Sequence, residues 1–376
     1  MRYRLQRHDG TDCSATMVPI TVLRMVPITV LRMVPIQRYR QFFDSLKADY
    51  KGFEEWFGRK SDNDAYIQKK NDSSLQAFLY LKIEDEAITD VIPNFPEAKR
   101  LKVGTFKIEA HNTKLGERFV RMIMHHALYE KVEEIYVTIF EKHVGLVNLL
   151  KKYGFEKKAI KGDTDNPESV YVKSMKCYTG DICKDFPFIH TAGKNKYLLA
   201  IYPKFHTVLF PDSILNTEIR DKDSLIKDVS HTNSIHKIYL CRMEDAKQMN
   251  PGDLVVIYRT SDDRGSAMYR SVATSVCVVE EVKTPKDFKS YEEYIKYTNY
   301  YSIFDKNTLT IFYNNSKTVI IKMTYNAAFN RRIIRKELIE EVGISQNAYW
   351  GFLELTDEQF NDIIERGQID ESLIVD

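Results

Sequence analysis

The sequence is poor in cysteine and has no long apolar run. Its five cysteines are scattered over 376 residues, too few to cross-link a chain of this length, which predicts a reducing compartment and the cytoplasm as the location. No segment approaches the roughly 20 apolar residues that a membrane-spanning helix requires. The first residues lack the apolar centre of a secretory signal. We therefore expect a protein that is neither exported nor embedded in a membrane.

The sequence also lacks an excess of charge of either sign. It carries 55 Lys and Arg against 53 Asp and Glu, and a net charge of +2 creates no global field that would attract nucleic acid or a membrane. Any basic binding surface must therefore be local. The 43% hydrophobic and 29% charged residues are typical of globular domains. At roughly 150 residues per domain, the length predicts two domains.

Common motifs of metal binding and nucleophilic catalysis are absent. There is no Cys-x-x-Cys, no His-Glu-x-x-His, no Gly-x-Ser-x-Gly and no glycine loop of the nucleotide-binding types. His125 and His126 are adjacent, so they face different directions on a helix. His231 and His236 flank a turn and lack the spacing of metal ligands. The sequence therefore predicts no metal site.

An eight-residue repeat stands near the start of the chain. MVPITVLR occupies 17–24, recurs at 25–32 and begins again at 33–36. The unit is too short for a solenoid, whose repeats need roughly 20 or more residues. Each copy is β-branched and carries a proline, which lacks a backbone donor and is confined to edge strands. We expect one copy to form an edge strand and the others to offer alternative registers, with a partner-binding arm as the alternative interpretation.

The remaining patterns divide the chain into two halves. In the first half, helical periodicity is present at 39–57, 116–132 and 143–155, and strand patterns at 65–70, 74–87, 100–110, 134–140 and 169–175. A linker without periodicity follows at 177–196. Beyond it, strand patterns at 197–203, 236–243, 253–260, 267–282, 318–325 and 350–355 alternate with helical ones at 289–301, 331–343 and 356–367. Short strands of this kind predict a small barrel with helices at its ends.

The segment KIEAHNTKLGERFVRMIM (107–124) resembles the acyl-CoA-binding motif of the GCN5-related N-acetyltransferases, the GNAT fold. Gly116 matches the final glycine of that motif, whereas His111 and Lys114 depart from it. The resemblance implies that backbone amides of the turn and of the first helical turn hold the cofactor's pyrophosphate. The residues implied in cofactor binding are Phe106, Ile108, Lys114, Leu115, Gly116, Glu117, Arg118 and His143. Glu117 would put a negative charge beside that anion site.

The segment HVGLVNLLKKYGFEKKAI (143–160) resembles the second GNAT signature. Gly154 and Phe155 fit it, and His143 falls on its asparagine position. Leu150 falls on the tyrosine position that often protonates the departing thiolate, which leucine cannot do, and Tyr153 would point differently.

Two residues near the end of the 100–110 strand are candidates for the general base. These are Glu109 and His111, with a solvated strand face and a simple turn residue as the alternative interpretations. Catalysis by proximity and orientation alone, with water as the proton relay, is also open.

Residues 186–370 resemble a PUA-like fold of the ASCH or EVE kind. The resemblance rests on HTNSIHKIYLCRM, MNPGDLVVIYRT, MYRSVATSVCVVEEV and AYWGFLELTDEQFNDII, and it implies binding of RNA or of a modified base. The candidate nucleic-acid surface comprises Arg259, Arg264, Tyr269, Arg270 and Ser271. A solvated hairpin with a barrel-facing tyrosine is the alternative.

Together these patterns predict an α+β protein with an irregular extension (1–32), a GNAT-like mixed sheet with flanking helices (33–176) and a PUA-like β-barrel with helices (186–376). The expected function is N-acetyl transfer from acetyl-CoA, without a metal, to an acceptor that is RNA or is linked to nucleic acid. The alternative is a catalytically silent protein that binds nucleic acid or a modified base and carries a degenerate GNAT domain.

Overall fold

A computed structural model of the chain describes residues 28–32, 40–60, 63–70, 74–109, 112–162, 166–213, 215 and 229–376. The described residues form an eight-stranded sheet, a six-stranded sheet and a two-stranded ribbon, with helices packed on the sheets. Both larger sheets combine parallel and antiparallel pairs. This architecture confirms the predicted α+β class. No helix in the described ranges is long and apolar enough to span a membrane.

The first half builds the eight-stranded sheet, in the order β1-β2-β3-β5-β6-β8-β7-β4. Its helices α1–α4 span Arg40–Asp49, Phe53–Gly58, Leu115–Tyr129 and Val144–Lys152. Its strands β1–β8 span Ile28–Arg32, Asp64–Lys69, Leu75–Glu84, Val91–Ile92, Arg100–Ile108, Glu134–Ile139, Glu156–Lys161 and Glu168–Ser174.

The elements predicted for this half are all present. The sequence does not predict β4 and β7, for two physical reasons. β4 has only two residues. β7 reads EKKAIK and buries only Ala159, because the strand lies near the edge of the sheet and exposes its charged residues. Its apolar alternation is therefore too weak to indicate a strand.

One copy of the octapeptide repeat forms the edge strand that the sequence predicts. The ITVLR of the second copy is β1, which pairs antiparallel with β2 from Ile28–Gln68 to Arg32–Asp64. β1 stands at the end of the strand order. The first sheet therefore begins five residues before the predicted domain start at residue 33. The first copy, at 17–24, lies outside the described residues.

The second half builds the six-stranded sheet, in the order β11-β14-β13-β12-β10-β15, and the ribbon β16-β9. Its helices α5–α12 span Ile182–Asp185, Pro203–Leu209, Ser230–Asn233, Ala267–Arg270, Tyr291–Thr298, Lys306–Tyr313, Arg335–Glu340 and Asp357–Arg366. Its strands β9–β16 span Ile189–His190, Lys196–Ile201, His236–Cys241, Leu254–Arg259, Val272–Lys283, Val319–Ile334, Phe352–Leu355 and Ile374–Val375.

Within the described residues, the six-stranded sheet is curved but open. Three register irregularities between β13 and β14 bend the two long strands. The sheet nevertheless ends at β11, which pairs with β14, and at β15, which pairs with β10. The described residues therefore form an open sheet where the sequence predicts a closed barrel, and this part of the prediction is wrong.

The two halves share one apolar core. A single cluster of buried residues includes Phe119 and Leu150 of the first half together with Val256 and Phe329 of the second. The connecting segment is packed as well: Phe186 and Ile189 are fully buried. Its Asp185 carboxylate accepts hydrogen bonds from the backbone N–H groups of Thr179 (2.9 Å) and Gly180 (2.8 Å).

Candidate functional site

The parallel strands β5 and β6 separate in the middle of the first sheet. They pair only from Arg100–Glu134 to Val103–Val137. At that point β5 also carries a bulge, because Tyr80 and Leu81 of β3 face Thr105 and Val103 and leave Gly104 as the extra residue. A side chain could not replace this glycine without displacing the Tyr80 ring, since a Cβ would lie 2.7 Å from it. The bulge and the separation together open the sheet.

A cleft of about 1260 Å³ occupies this opening. One wall is β5 from Lys102 to Ile108 with Glu109 directly after it, and the other comprises the end of β6 and the start of α4. Helices α1 and α2 close the cleft at one side with aromatic residues, Tyr50, Phe53 and Trp56. Its charged lining is mainly cationic, with Lys51, Arg59, Lys60, Lys82, Lys102, Lys107, Lys142 and Lys161 against Glu55, Glu84, Glu109 and Glu168. Such a cleft favours an anionic ligand.

Four of the residues predicted to hold a cofactor line this cleft. They are Phe106, Ile108, Gly116 and His143. Gly116 is the second residue of α3 and lies close to α4, because a Cβ there would lie 2.8 Å from Cδ2 of Leu149. The glycine therefore lets the first turn of α3 and the first part of α4 approach each other at the cleft wall.

The other four predicted cofactor residues lie outside the cleft lining. Leu115 is buried in the shared core, and Arg118 is buried along α3. Lys114 precedes the helix in a left-handed conformation, with φ of 59°. Its Nζ lies over the rings of Tyr300 and Tyr301, 5.9 and 5.6 Å from their centroids. The side chain of Lys114 thus contacts the second half of the chain.

Glu117 also joins the two halves rather than facing the cleft. Its carboxylate is buried and accepts hydrogen bonds from the Ser234 hydroxyl and from the backbone N–H of Ile235, the latter at 3.1 Å. Lys152 Nζ lies 3.1 Å from its other oxygen. Burial by itself raises the pKa of Glu117. The opposing effects of His236, Lys152 and the Ser234 hydrogen bond are larger together, so the pKa lies below its usual value. The negative charge of Glu117 is therefore neutralised at the junction of the two halves, outside the cleft.

The structure describes one of the two candidate bases, Glu109, together with the predicted cofactor residue His143. Glu109 follows β5, lines the cleft and pairs with Lys70. His111 lies outside the described residues. His143 precedes α4, and its Nε2 lies 3.1 Å from Oδ2 of Asp49 on α1. Glu109 is thus the predicted base that the structure brings to the cleft.

Among the described residues, no tyrosine of α4 replaces Leu150 at the position where the sequence resemblance expects one. Leu150 is buried in the core. Tyr153 is fully buried, and its hydroxyl lies 3.1 Å from Nε2 of His236 at the junction of the halves. Tyr153 thus lies at the junction of the halves and outside the lining of the cleft.

A second polar group in the cleft, centred on Glu84, is not predicted from the sequence. Glu84, at the end of β3, lies 2.9 Å from Nζ of Lys82 and 3.5 Å from Nζ of Lys102, and Tyr136 donates its hydroxyl proton to it. Burial raises the pKa of Glu84, but the hydrogen bonds from Tyr136 and Lys82 outweigh this effect and the pKa is lowered overall. Alternating charges on strands indicate a solvated face in a sequence, so these residues carry no distinguishing signal.

The five residues predicted to bind nucleic acid do not form one exposed surface. Arg259 and Ser271 are buried, 3% and 2% exposed, which removes their side chains from the surface. Arg270 is paired with Asp262. Arg264 is exposed, and Tyr269 is 60% exposed. The sequence pattern suggests one continuous hairpin. In the structure, a loop and the helix α8 lie between β12 and β13 instead.

No protein-family model and no curated protein matches this chain. Solved structures show partial similarity. A GNAT-family acetyltransferase from Staphylococcus aureus Mu50 is 10% identical, with a TM-score of 0.31, over 40% of this chain and 99% of its own. The ASCH protein of Zymomonas mobilis is 9% identical, with a TM-score of 0.29, over 45% and 94%. Naa20 of Chaetomium thermophilum, solved with a bisubstrate analogue, is 14% identical, with a TM-score of 0.29, over 39% and 84%.

Proposed function

We propose that this chain binds an acyl-CoA in the cleft between β5 and β6 and transfers the acyl group to an amine. The observation that carries the proposal is the separation of these strands at the Gly104 bulge, beside the first turn of α3. In the described part of the sheet, the edge of β5 beyond Val103 has no partner strand on the β6 side. An extended ligand with amide groups can hydrogen-bond to such an edge as an added strand does.

The charge of the cleft supports the same ligand. The first N–H groups of a helix lack intrahelical acceptors and favour anions, and Gly116 brings those of α3 to the cleft wall. Lysines of β5 and of the β6–α4 connection add positive charge. A pyrophosphate fits this combination of amides and lysines.

The chemistry proposed for the site depends mainly on positioning. The amine nitrogen forms a bond to the acyl carbon, the carbon–sulfur bond breaks, and CoA leaves as its thiol. Glu109 accepts the proton of the amine, directly or through water. Leu150 replaces the usual acid, so the thiolate takes its proton from water. Proximity and orientation then supply most of the rate enhancement, and we expect turnover to be slow.

Calorimetry with acetyl-CoA and the full chain tests this proposal. Gly145 lines the cleft at the start of α4, and a Cβ there would meet no atom within 4 Å. Gly145→Glu therefore adds a negative charge without a clash and should weaken binding at least about tenfold, or about 1.4 kcal/mol. Gly58→Glu is the matched control, because Gly58 also meets nothing within 4 Å and lies outside the cleft. Equal effects of both variants, or no binding by the wild type, would refute the site.

Activity separates the enzyme from the silent alternative. Release of CoA thiol in the presence of polyamine, peptide and RNA acceptors should exceed the buffer rate and fall in Glu109→Gln by about 10²-fold or more, as for a general base. Binding of acetyl-CoA without turnover would favour the catalytically silent protein.

We further propose that the second half recruits an acceptor that is RNA or is linked to nucleic acid. A local patch around Tyr269 supports this: its ring is well exposed, and Lys336 Nζ lies 5.9 Å from the ring centroid. Arg264 is exposed in the loop that leads into α8, the helix that carries Tyr269. An exposed ring beside cations is suited to stacking on bases and contacting phosphates.

The patch is tested by filter binding of the full chain to mixed RNA at two salt concentrations. Arg264→Ala should reduce the salt slope by about one, and Tyr269→Ala should cost about 1–3 kcal/mol of binding. Lys317→Ala, a change at an exposed lysine of another turn, is the control. Binding that does not depend on salt would assign the patch to a different ligand.

A further inference from the structure

Outside the cleft, three side chains of the metal-binding types meet at the junction of the two halves. Cys183 of α5, His236 of β11 and Glu280 of β13 each offer one ligand atom, and these atoms all lie within 4.8 Å of one another. His236 and Glu280 are 2% and 9% exposed, and Cys183 is half-buried. The cluster is therefore a largely dry set of one sulfur, one nitrogen and one oxygen donor.

The partners of His236 and Glu280 hold these two side chains in a fixed orientation. Nδ1 of His236 lies 2.5 Å from Oε1 of Glu280, while its Nε2 lies 3.1 Å from the Tyr153 hydroxyl. The second Glu280 oxygen lies 2.8 Å from Nζ of Lys322. Metal-binding histidines and carboxylates characteristically have such partners on the atom that does not face the metal. The imidazole is further fixed by the Tyr153 ring, which stacks on it at 6.1 Å and 27°.

We propose that Cys183, His236 and Glu280 form a binding site for a transition-metal ion, with Zn²⁺ as the expected occupant. Thiolate, imidazole and carboxylate together are the ligands that Zn²⁺ takes in proteins, at about 2.0–2.3 Å. Tetrahedral bonds of those lengths put the ligand atoms about 3.3–3.8 Å apart, so the side chains need to move by about an ångström. The ion takes the place of the hydrogen bond between Nδ1 and Oε1. The neutral imidazole then carries its single proton on Nε2, which donates to Tyr153, so that His236 neither gains nor loses a proton.

The charges around the cluster allow this occupant. Lys322 is paired with Glu280, and Lys152 is paired with Glu117. Burial raises the pKa of the Cys183 thiol to about 11, with Glu280 adding to the effect. Binding releases the thiol proton to solvent, and the divalent ion then stabilises the thiolate. The junction gains one unit of positive charge, because the +2 of the ion is offset by the −1 of the new thiolate.

The position of the site lets the ion link two parts of the fold. Cys183 lies in the segment that connects the two halves, while His236 and Glu280 belong to the six-stranded sheet. Bound Zn²⁺ fixes α5 on that sheet and holds His236 against Tyr153 of the first half. Three protein ligands leave a fourth position, which water fills from the side of the half-buried cysteine.

The site is tested on the full chain with Zn²⁺ and with Co²⁺ as its spectroscopic substitute. The wild type should bind one ion per chain, with a thiolate-to-cobalt charge-transfer band and an increased melting temperature. Cys183→Ser should abolish the band and weaken binding at least about tenfold. Cys177→Ser is the matched control, because Cys177 is exposed, belongs to the same segment and lies outside the cluster.

Tyr153→Phe separates a metal site from a purely structural network. It removes the partner of Nε2 and should weaken the ion about 10–100-fold while the cobalt band remains. No ion at micromolar Zn²⁺, or an ion whose band survives Cys183→Ser, would overturn the proposal. The cobalt spectrum of the wild type and of Cys177→Ser decides the question even where Cys183→Ser does not fold, since a missing band in both proteins contradicts thiolate ligation.

Discussion

At the scale of the residue, Gly154 is required both for its backbone conformation and for the close packing of a neighbouring segment. It ends α4 with φ of 84°, and the backbone N–H groups of Gly154 and Phe155 donate to the carbonyls of Lys151 (3.2 Å) and Leu150 (3.1 Å), a Schellman motif. The Cβ of any other residue would lie 2.6 Å from the Lys184 carbonyl oxygen. The glycine therefore lets the connecting segment pack directly on the end of α4.

Gly154→Ala should consequently destabilise the protein strongly. The left-handed conformation alone costs a residue with a side chain about 1–2 kcal/mol, and the clash with backbone adds about 1–3 kcal/mol. Gly162→Ala is the matched control, because Gly162 has φ of 90° but no atom within 4 Å of a Cβ. Urea denaturation should give a larger loss for residue 154; equal losses would mean that the packing against Lys184 contributes nothing.

Residue patterns in the sequence predict Gly154 and Phe155 but not the junction cluster. The glycine and the phenylalanine are adjacent, so their local signature is visible in the sequence. Cys183, His236 and Glu280 come from a connecting helix and two separate strands that meet only after both halves have packed. Glu117 is visible as an anomalous charge beside an anion site, but its partners Ser234 and Ile235 belong to the other half.

At the scale of the element, the octapeptide repeat supplies two identical copies of the sequence that forms the edge strand β1. The residues of β1 pair with β2 through backbone hydrogen bonds, and the same five residues, ITVLR, precede them in the first copy. Because the side-chain pattern is identical, a shift by one whole repeat preserves the register.

Deletion of residues 17–24 should therefore leave the melting temperature unchanged, because one intact ITVLR copy remains beside β2. Deletion of 17–32 removes both complete copies and should expose the edge of β2, which lowers stability and promotes association of chains through that edge. Thermal melting and light scattering of the two variants check this. A loss of stability in the shorter deletion would show that the first copy has a role of its own.

Element patterns also explain which parts of the fold the sequence reveals. Long segments such as α3 and β13 are predicted because α3 buries a long apolar face and β13 is a long strand whose first eight residues are all buried. The opening between β5 and β6 is not a property of either strand. It arises from a one-residue bulge at Gly104 opposite Tyr80 and Leu81, and an isolated glycine in a strand indicates only that a bulge is possible.

At the scale of the whole molecule, the halves resemble separate domains in sequence but share their core. We propose 28–176 and 186–376 as the domains, because β1 extends the predicted first domain, 33–176, at its start. They are joined through a segment that is exposed at 176–181. Phe119 and Phe329 belong to the same buried cluster. Independent folding of either half would expose this apolar surface to water.

Limited proteolysis should therefore cut the chain within 176–181 without separating the products. The nicked protein should elute as one species from a sizing column, because the shared core still holds the fragments together, and denaturant should release both. Fragments that separate without denaturant would show that each half folds by itself and that the common core contributes little.

Glu117 links the stability of this junction to pH. Because its pKa in the folded state lies below the usual value near 4.5, ionised Glu117 stabilises the fold above that pH, and this contribution is lost as the pH falls through the folded-state value. Glu117→Gln keeps the shape but removes the charge that Lys152 and Ser234 contact. It should cost about 1.5–3 kcal/mol at neutral pH, the range for hydrogen bonds to a charged group, and the difference from wild type should shrink below pH 4.5.

Glu133→Gln, at an exposed pair with Lys176, should have no measurable effect. Urea denaturation of the three proteins at several pH values measures this, and a Glu117→Gln deficit that stays constant from neutral to acidic pH would contradict an ionised carboxylate at the junction.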